Sequence, residues 1–503
     1  MKTILEYLEK TVETYPDRKA VTDLNGNYTY AELLEKAKKA GSALAGQISH
    51  QEPVVILMEK SCQAVAMLYG VLYAGGFYIF VDPDQPAERM SKIFGKLQAK
   101  TVIADDTEKN REILSASGFS GKQFTAEELL QGEIEEEKLK KVRQQAEDTD
   151  ILYGIFTSGS TGMPKGVMVS HKAAADFIGH FVDTFGITYE DRIGNQAPFD
   201  FDVSVKDIYS ACRTGAELVL IPRTYFAQIK RLMDYLEEKK VTVLVWAVSA
   251  VCLISGFRGF RYKVPQDLRM VMFSGEIMPP KQLRIWQDAL PQVRFVNLYG
   301  PSEITCNCTY HEIEKQYADE EDIPIGHAFA GRIVFLLDEG KLIQKAGLKG
   351  EICVAGESLA NGYYNDPDKT ADAFQKILIE GEERRFYHTG DLGSYDENGI
   401  LHFHGRADSQ IKHMGHRIEL GEIESAMLRL PGISRGCCLF DQKKNRMVAF
   451  YTGDLTSAEI KTELKTMVPN YMVPSKMIWL DSFELNKNGK IDRNKLKEKM
   501  ETL

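Results

Sequence analysis

Apolar residues in the first half of the chain form short uninterrupted runs separated by stretches with helical periodicity. Ile4, Leu5, Leu8 and Val12 recur at intervals of three and four residues and predict an amphipathic helix. Short, mainly apolar runs predict strands at residues 54–58, 77–81, 101–104, 216–221, 241–246 and 270–273, of which the first is fully apolar. Apolar strands that alternate with helices indicate a parallel sheet covered on both faces.

The pattern changes twice in the second half of the chain. From residue 333 onward, shorter alternating strands separated by turn residues predict an antiparallel β subdomain, with strands at 333–337, 351–355 and 399–403. Past Arg406, helices and strands alternate again and predict a small α+β domain that ends at Leu503.

Composition and charge narrow the class of protein. The 503 residues carry a formal net charge of −10, which argues against a nucleic-acid or anionic-membrane protein. Residues 241–257 lack charged side chains, and we interpret them as a buried strand running into a helix rather than a membrane span. No signal-peptide pattern is present, and the eight cysteines lack zinc-site spacing, so we expect a cytoplasmic protein without membrane insertion.

A loop rich in glycine and hydroxyl side chains follows the apolar run 151–156. Its backbone N–H groups and hydroxyls are suited to wrapping a polyanion such as a phosphate chain. It differs from the P-loop, because Pro164 precedes Lys165 and Gly166 follows it. A plain surface loop is the alternative interpretation. The candidate phosphate-binding residues are Thr157, Ser158, Gly159, Ser160, Thr161, Gly162 and Lys165.

Four further stretches contain candidate site residues. Asp202 lies among aromatic residues, where a buried carboxylate needs a cation such as a substrate ammonium; capping of the following helix is the alternative. Tyr299 suits stacking on a base and Glu303 suits holding a hard cation. Asp391 follows a glycine turn and suits ribose hydroxyls. An Asn-Gly turn presents Lys490 near the C-terminus.

The histidines in the second half of the chain do not indicate a zinc site. His402 and His404 alternate along a predicted strand without acidic or cysteine partners in the pattern, and His413 and His416 follow shortly after.

Taken in order, the motifs identify a family. The stretches 157–166, 299–303, 387–391, 405–412 and 488–493 resemble the core motifs of adenylate-forming enzymes. The match is closest to amino-acid adenylation domains of nonribosomal peptide synthetases and to D-alanine–D-alanyl carrier protein ligases. It covers essentially the whole chain, so we expect a free-standing protein without a fused carrier or condensation domain.

The resemblance implies an α/β fold in two parts. A large N-terminal domain, residues 1–405, would contain stacked, mostly parallel sheets with helices and a small β subdomain, and would hold the ATP and amino-acid sites. A small α+β lid, residues 406–503, would turn about Asp408 and carry the catalytic Lys490.

The implied reaction joins a carboxylate to ATP as an acyl-adenylate, with Mg²⁺, and then transfers the acyl group to a carrier protein's phosphopantetheine thiol. Lys490 would bridge the carboxylate and the α-phosphate, Glu303 would bind the metal, and Thr157 would hold phosphate oxygens. The implied nucleotide site is completed by Ser158, Gly159, Ser160, Thr161, Gly162, Lys165, Asn297, Leu298, Tyr299, Gly300, Pro301, Ser302, Asp391, Phe403 and Arg406.

Motif alignment also places an amino-acid pocket. It is implied to contain Asp202, Lys206, Ser274, Cys306, Asn307 and Lys490. Asp202 favours an α-amino acid over a fatty or aryl acid. Free-standing form favours D-alanine, whereas Ser274 and Lys206 depart from the D-alanine pattern and leave serine, cysteine or an acidic amino acid open. Lys206 would pair with an acidic side chain or extend its ammonium to solvent.

Two other functions stay open from the sequence. An acyl-CoA synthetase would use CoA instead of a carrier protein, and Asp202 argues against it. A nucleotide-binding protein without catalysis is disfavoured by the joint presence of Lys490, Asp391 and Glu303.

Overall fold

The computed structural model describes residues 2–159, 163–406, 410–484 and 491–502. Up to residue 157 the strands are β1 Lys19–Thr22, β2 Asn27–Thr29, β3 Pro53–Leu57, β4 Phe77–Val81, β5 Thr101–Ala104, β6 Lys122–Phe124 and β7 Ile151–Thr157. Next come β8 Lys165–Ser170, β9 Arg192–Asn195, β10 Glu217–Leu220, β11 Val243–Ala247, β12 Met270–Ser274, β13 Arg294–Tyr299 and β14 Thr309–Glu312. The remaining strands are β15 His327–Ala328, β16 Arg332–Asp338, β17 Lys341–Ile343, β18 Gly350–Gly356, β19 Gly362–Tyr363, β20 Phe374–Ile379, β21 Glu382–Tyr395, β22 Leu401–Arg406, β23 Gln410–His413, β24 His416–Glu419, β25 Ile433–Asp441, β26 Arg446–Gly453 and β27 Lys476–Trp479.

The helices begin with α1 Leu5–Thr14, α2 Tyr30–Leu44, α3 Cys62–Tyr73, α4 Ala87–Leu97, α5 Glu108–Ala116, α6 Ala126–Leu130, α7 Glu136–Gln145 and α8 His171–Phe185. They continue with α9 Val203–Thr214, α10 Ile229–Glu238, α11 Val248–Gly256, α12 Pro280–Ala289, α13 Pro367–Ala373, α14 Leu420–Leu428, α15 Ser457–Met467 and α16 Arg493–Glu501.

Two large mixed sheets form the body of the chain before residue 330, and β19 adds an edge strand to one of them from later in the chain. One has the order β15-β14-β13-β12-β11-β9-β10-β1-β2, and the other has the order β19-β8-β7-β4-β3-β5-β6. β11, β12 and β13 are parallel in the first sheet, and β3, β4 and β5 are parallel in the second. The predicted parallel arrangement is therefore confirmed, as two sheets with antiparallel strands towards their edges.

Helices α2 and α3 pack closely because small residues face each other. A Cβ atom on Gly70 of α3 would lie 2.6 Å from Ala40 Cβ of α2, so glycine is needed for this approach. Almost every residue of α3 is buried, and its apolar side chains belong to one core together with residues of both large sheets. The uninterrupted hydrophobicity of this helix reflects burial on all sides.

The uncharged stretch 241–257 is divided between β11 and α11, as predicted. Both elements are largely buried, and Trp246 Nε1 donates a hydrogen bond to the Gly194 carbonyl oxygen at 2.7 Å. Among the residues that the structure describes, no helix combines the length and the apolar character that a membrane crossing requires.

The predicted antiparallel β subdomain is confirmed as the sheet β17-β16-β18-β21-β20, with β22 paired to β21. Its last predicted strand, 399–403, was placed too early. Gly399 has a φ of +74° and closes a turn, so the strand begins at Leu401 and continues to Arg406.

Beyond residue 410 the chain builds a separate α+β core, also as predicted. A two-stranded hairpin, β23–β24, precedes the sheet formed by β25, β26 and β27. Helices α14 and α15 pack their buried faces, which include Ile423 and Ile460, into one apolar cluster with strand residues such as Ala449. This cluster contains only residues from 411 onward.

Candidate functional site

The site lies where strand ends of both large sheets meet the hairpin β23–β24. β7 ends at Thr157, β13 ends at Tyr299, and β21 carries Asp391. The hairpin reaches across to these residues from the C-terminal part of the chain. The predicted phosphate, base and ribose residues are thus brought together by the fold.

The loop predicted to bind phosphate begins with a hydroxyl that has no partner among the described residues. This hydroxyl, Thr157 Oγ1, is buried. Ser158 Oγ donates to the Arg417 carbonyl oxygen at 2.5 Å and accepts from the Glu419 N–H at 3.2 Å. Gly159 lies against the backbone of Met163. A Cβ added to Gly159 would be 2.1 Å from the Met163 carbonyl oxygen, so this position requires glycine. The predicted residues Ser160, Thr161 and Gly162 lie outside the described part of the chain.

Glu303 is the most strongly paired carboxylate of the site. It is fully buried, and Arg417 Nη1 lies 2.8 Å from its Oε1 and 2.7 Å from its Oε2. The Tyr363 hydroxyl also donates to Oε1 at 2.8 Å. Burial alone would raise the pKa of Glu303, but the charges of Arg417 and Lys165 lower it to about 2. The group is therefore a permanent anion.

Lys165 contributes a second cation beside Glu303. Its Nζ lies 3.9 Å from Glu419 Oε1 and 5.5 Å from the centre of the Tyr363 ring. Burial and the neighbouring Arg417 lower the pKa of Lys165. Lys165 lies directly opposite Thr157 in the register of β7 and β8.

The predicted base and ribose residues form one hydrogen-bonded wall. The Tyr299 hydroxyl donates to Asp391 Oδ2 at 2.6 Å, and Arg406 pairs with Asp391 Oδ1. The Phe403 ring lies 6.0 Å from the Tyr299 ring, centre to centre. Lys412 Nζ lies 5.1 Å from the centre of the Tyr299 ring. The hairpin thus places a cation at the ring predicted to stack on a base.

The motif residues around Tyr299 divide between structural and site positions. Asn297 Nδ2 donates to the Pro324 carbonyl oxygen at 2.8 Å, and Leu298 is buried in the core. A Cβ on Gly300 would lie 2.5 Å from Asn307 Cα, so this glycine permits the close approach of two loops. Pro301 precedes a short helical turn, Ser302–Ile304, which directs Ser302 to the amino-acid pocket.

Asp202 lies buried beside Ser302. Ser302 Oγ donates to Asp202 Oδ2 at 2.6 Å, and Cys306 Sγ donates to the Asp202 carbonyl oxygen at 3.1 Å. Asp202 precedes α9, yet its carboxylate makes no cap hydrogen bond, so the alternative of a helix cap is wrong. Burial raises the pKa of this carboxyl.

Lys206 is buried in the same pocket, at 1% exposure. Its Nζ donates to Asn307 Oδ1 at 2.7 Å. The alternative that its ammonium reaches solvent is therefore wrong. Lys206 lies one helical turn after Asp202, on a face of α9 that points to the interior. Burial lowers the pKa of Lys206. Ser274, at the end of β12, is buried as well.

Sequence reasoning missed the tip of the hairpin β23–β24. Met414 and Gly415 have φ values of 52° and 80°, as a type I′ turn requires. His413 and His416 flank this two-residue turn, and their spacing was the sequence signal that could have revealed it. The Gly415 N–H donates to Glu276 Oε1 at 2.7 Å. The His416 ring is stacked on Tyr471, with ring centres 3.6 Å apart. This ring contact accounts for the position of His416.

Little space remains beneath the hairpin. A cavity of about 50 Å³ lies among residues that include Thr157, Ser158, Phe201 and His416. Small-molecule sites commonly occupy about 300–1,000 Å³. This cavity alone is too small for a ligand of nucleotide size. Asp408 and Lys490, the predicted hinge and catalytic lysine, lie outside the described residues.

Comparison with known proteins gives one family. The family model described as AMP-binding enzyme matches residues 8–364. Tyrocidine synthase 1 of Brevibacillus parabrevis is 32% identical over 505 residues, which cover 99% of this chain and 45% of that protein. Surfactin synthase subunit 2 of Bacillus subtilis (strain 168) is 32% identical, covering 99% of this chain and 14% of that protein. The chain spans less than half the length of these relatives.

Solved structures share the fold. The Vibrio cholerae adenylation domain AlmE, solved with glycyl-adenosine-5′-phosphate, aligns with a TM-score of 0.84 at 23% identity, covering 99% of this chain and 98% of that one. PA1221, which contains adenylation and PCP domains, aligns in its holo form with a TM-score of 0.82 at 24% identity. That alignment covers 99% of this chain and 84% of PA1221.

Proposed function

Because this chain belongs to the AMP-binding enzyme family, we propose that it activates a small α-amino acid with ATP and transfers it to a carrier protein. The observation that carries the proposal is Asp202. Its carboxylate is buried, accepts a hydrogen bond from Ser302, and has no ion-pair partner within 4 Å among the described residues. A substrate ammonium supplies the missing positive charge.

The residues around Thr157 and Glu303 fit ATP and Mg²⁺. The unpartnered Thr157 hydroxyl donates to a phosphate oxygen, and the ionised Glu303 carboxylate holds the metal. When bound, Mg²⁺ would neutralise part of the negative charge of the phosphates. Tyr299 packs against adenine, and Asp391 and Arg406 orient the ribose. Each of these roles agrees with the burial and mutual contacts of the side chains.

Two bond exchanges make up the reaction. The substrate carboxylate oxygen attacks the α-phosphorus, and pyrophosphate leaves with the electron pair of the broken P–O bond. The phosphopantetheine sulfur of the carrier then attacks the acyl carbon, and AMP leaves. Lys490 is assigned to the first step, where a cation between two anions lowers the barrier.

We assign the chain two domains, 1–405 and a lid from 406. The separate apolar core beyond residue 410 supports a lid that moves as a unit. Arg417 takes up the place on Glu303 that we assign to the metal. The described arrangement therefore precedes ATP binding or follows adenylate formation, and turning about Asp408 exchanges it for one that places Lys490.

The substrate proposal follows the pocket contents. Lys206 and Asn307 are both buried near Asp202 and hydrogen-bonded to each other, which supports a small substrate side chain such as that of D-alanine. A second candidate rests on Lys206 itself. Among the described residues, the Lys206 ammonium is hydrogen-bonded to one amide oxygen, and a buried ammonium of this kind is suited to pair with the carboxylate of an acidic amino acid.

A pyrophosphate-exchange assay over the twenty L-amino acids, D-alanine and D-serine tests the proposal. We expect a response to one small or acidic amino acid and its loss in Asp202→Asn. Asp207→Asn is the matched control, because Asp207 is a buried aspartate of helix α9 and accepts from Asn195 Nδ2 at 2.8 Å. Absence of a response to every amino acid overturns the amino-acid assignment, and efficient transfer to CoA instead of a carrier indicates an acyl-CoA synthetase.

A further inference from the structure

Three side chains with metal-binding atoms converge on the β subdomain, outside the site described above. Glu351 and Cys353 lie on β18, and His388 lies on β21. We propose that they form a binding site for a transition-metal cation of the Zn²⁺ type. Carboxylate, thiolate and imidazole are the ligands that zinc uses in proteins.

The sheet register brings these residues together. β18 and β21 are antiparallel, and Cys353 lies directly opposite His388. Glu351 is two residues before Cys353, so its side chain shares the same face of the strand. A register irregularity between Glu351 and Cys353 bends the pair locally. Such irregularities redirect side chains at sheet edges and sites.

The distances approach those of a tetrahedral site. The three ligand atoms all lie within 4.8 Å of one another. His388 Nδ1 is 2.9 Å from Glu351 Oε2 and 3.8 Å from Cys353 Sγ. Zinc bonds of about 2.0–2.3 Å in tetrahedral geometry separate neighbouring ligand atoms by about 3.3–3.7 Å. Small side-chain rotations therefore suffice to enclose an ion.

Access to the site is open on one side. Cys353 is fully buried, whereas the Glu351 and His388 side chains are 27% and 25% exposed. A cation can enter from solvent, and a water molecule can complete four-fold coordination. Three protein ligands with one open position are the arrangement of exchangeable zinc sites rather than closed structural ones.

The ligand set separates this site from the Mg²⁺ site. Sulfur and imidazole ligands select zinc-like ions, whereas Mg²⁺ prefers six oxygen ligands. The two sites are nevertheless connected. Glu351 Oε1 accepts from the Gly390 N–H at 2.9 Å. The residue after Gly390 is Asp391, which we assign to the ribose and which accepts from the Tyr299 hydroxyl. Glu351, which would hold the cation, is thus linked to Asp391 through its hydrogen bond to Gly390.

Across the ranges 2–159, 163–406, 410–484 and 491–502, no other group of three such side chains comes this close together. The pair His180–Asp176 provides an internal comparison. It joins an imidazole and a carboxylate at 3.6 Å on one helix, and no thiol belongs to it. If a carboxylate–imidazole pair alone held the ion, both places would bind it.

Titration of the full chain with Zn²⁺, followed by calorimetry in chelator-buffered solution with excess Mg²⁺, tests the proposal. We expect one tight Zn²⁺ per chain, undisturbed by Mg²⁺. Cys353→Ser and His388→Gln should each weaken binding by about tenfold or more, since even outer-shell partners change metal affinity by that much. Cys252→Ser and His180→Gln are the matched controls and should bind as the unsubstituted chain does.

Substitution by Co²⁺ gives an independent readout. A thiolate-to-metal absorption band is expected in the unsubstituted chain and in Cys252→Ser, and its loss is expected in Cys353→Ser. Glu351→Gln keeps the proposal testable if Cys353→Ser does not fold, because Glu351 is partly exposed. Absence of Zn²⁺ binding, or binding unchanged in Cys353→Ser and His388→Gln, overturns the proposal. Neither measurement depends on adenylation activity.

Discussion

The Arg417 guanidinium contacts both carboxylate oxygens of Glu303, at 2.8 and 2.7 Å. The two residues are 114 positions apart, and Glu303 is fully buried. A buried carboxylate keeps its charge at low cost only beside a cation. Arg417 supplies that cation from the hairpin β23–β24, and in the proposed reaction Mg²⁺ supplies it instead. Arg417 and the metal therefore compete for one carboxylate.

Replacing Arg417 should favour binding of the metal–nucleotide complex. Arg417→Met removes the competitor, so we expect the KM for MgATP in pyrophosphate exchange to fall by up to about tenfold. Hydrogen bonds to charged groups contribute about 1.5–3 kcal/mol, and about 1.4 kcal/mol corresponds to a factor of ten. Transfer to the carrier protein should slow, because the described lid position loses its central contact.

A second ion pair between the same parts of the chain serves as the control. Arg429 pairs with Glu88, and both side chains are substantially exposed, at 46% and 30%. Exposed pairs contribute about 0–1 kcal/mol, so Arg429→Met should change the KM little. An unchanged KM in Arg417→Met, or an equal change in both variants, contradicts the competition.

Several residues that we assign to the nucleotide site could be predicted from the sequence. Tyr299 ends β13, Glu303 follows that strand and Asp391 lies within β21, each in a recognisable motif, and the structure places the Tyr299 hydroxyl 2.6 Å from Asp391. The positions of such short motifs in the fold depend mainly on the local backbone and on the order of the strands. The pattern of apolar runs along the sequence predicts both.

The missed features depend on contacts between distant parts of the chain. β9, Arg192–Asn195, contains Gly194 and Asn195, which disfavour strands, and its pairing with β10 and β11 stabilises it instead. Arg417 lies in a strand whose pattern does not reveal which carboxylate it meets. Burial of Lys206 likewise depends on Asn307, about a hundred residues later. Periodicity carries no information about such partners.

The unpartnered Thr157 hydroxyl should matter for catalysis and little for stability. Thr157→Val keeps the shape of the side chain and removes a buried oxygen that has no partner among the described residues. We expect kcat/KM for ATP to fall on the order of 10²-fold, the usual effect of losing one donor to a developing charge. The melting temperature should stay the same or rise.

Thr157→Ser is the matched variant, because it restores the hydroxyl and removes only a methyl group. Its activity should remain within a few-fold of the unsubstituted chain. A comparable loss in Thr157→Ser, or full activity in Thr157→Val, would show that the hydroxyl does not contact phosphate.

Lys206 and Asn307 should behave as a coupled pair. Asn307→Leu leaves a buried ammonium without its acceptor, and we expect it to lower the free energy of unfolding by about 1–3 kcal/mol. Lys206→Met removes the charge itself and should be neutral or stabilising. The double variant should recover most of the loss, which calorimetric melting of all four proteins measures. Additive effects of the two changes contradict the coupling.

His171 should make the stability of the protein fall in acid. Its Nδ1 accepts the Ile4 N–H at 3.2 Å, and burial, followed by the charge of Arg143, lowers its pKa to about 3. Between about pH 6.5 and pH 3 the unfolded chain therefore binds a proton that the folded chain does not. The contribution is fully present above pH 6.5 and is lost as the pH falls towards 3, by several kcal/mol at most, since one pKa unit corresponds to about 1.4 kcal/mol.

His171→Asn keeps an acceptor for the Ile4 N–H and removes the titrating ring. Urea unfolding at a series of pH values should therefore show a shallower loss of stability between pH 6.5 and pH 4 in His171→Asn than in the unsubstituted chain. His180→Asn, at a partly exposed histidine on the same helix α8, should keep the original slope. Equal slopes in all three proteins would mean that His171 takes up its proton without unfolding, through local opening of the α1 contact.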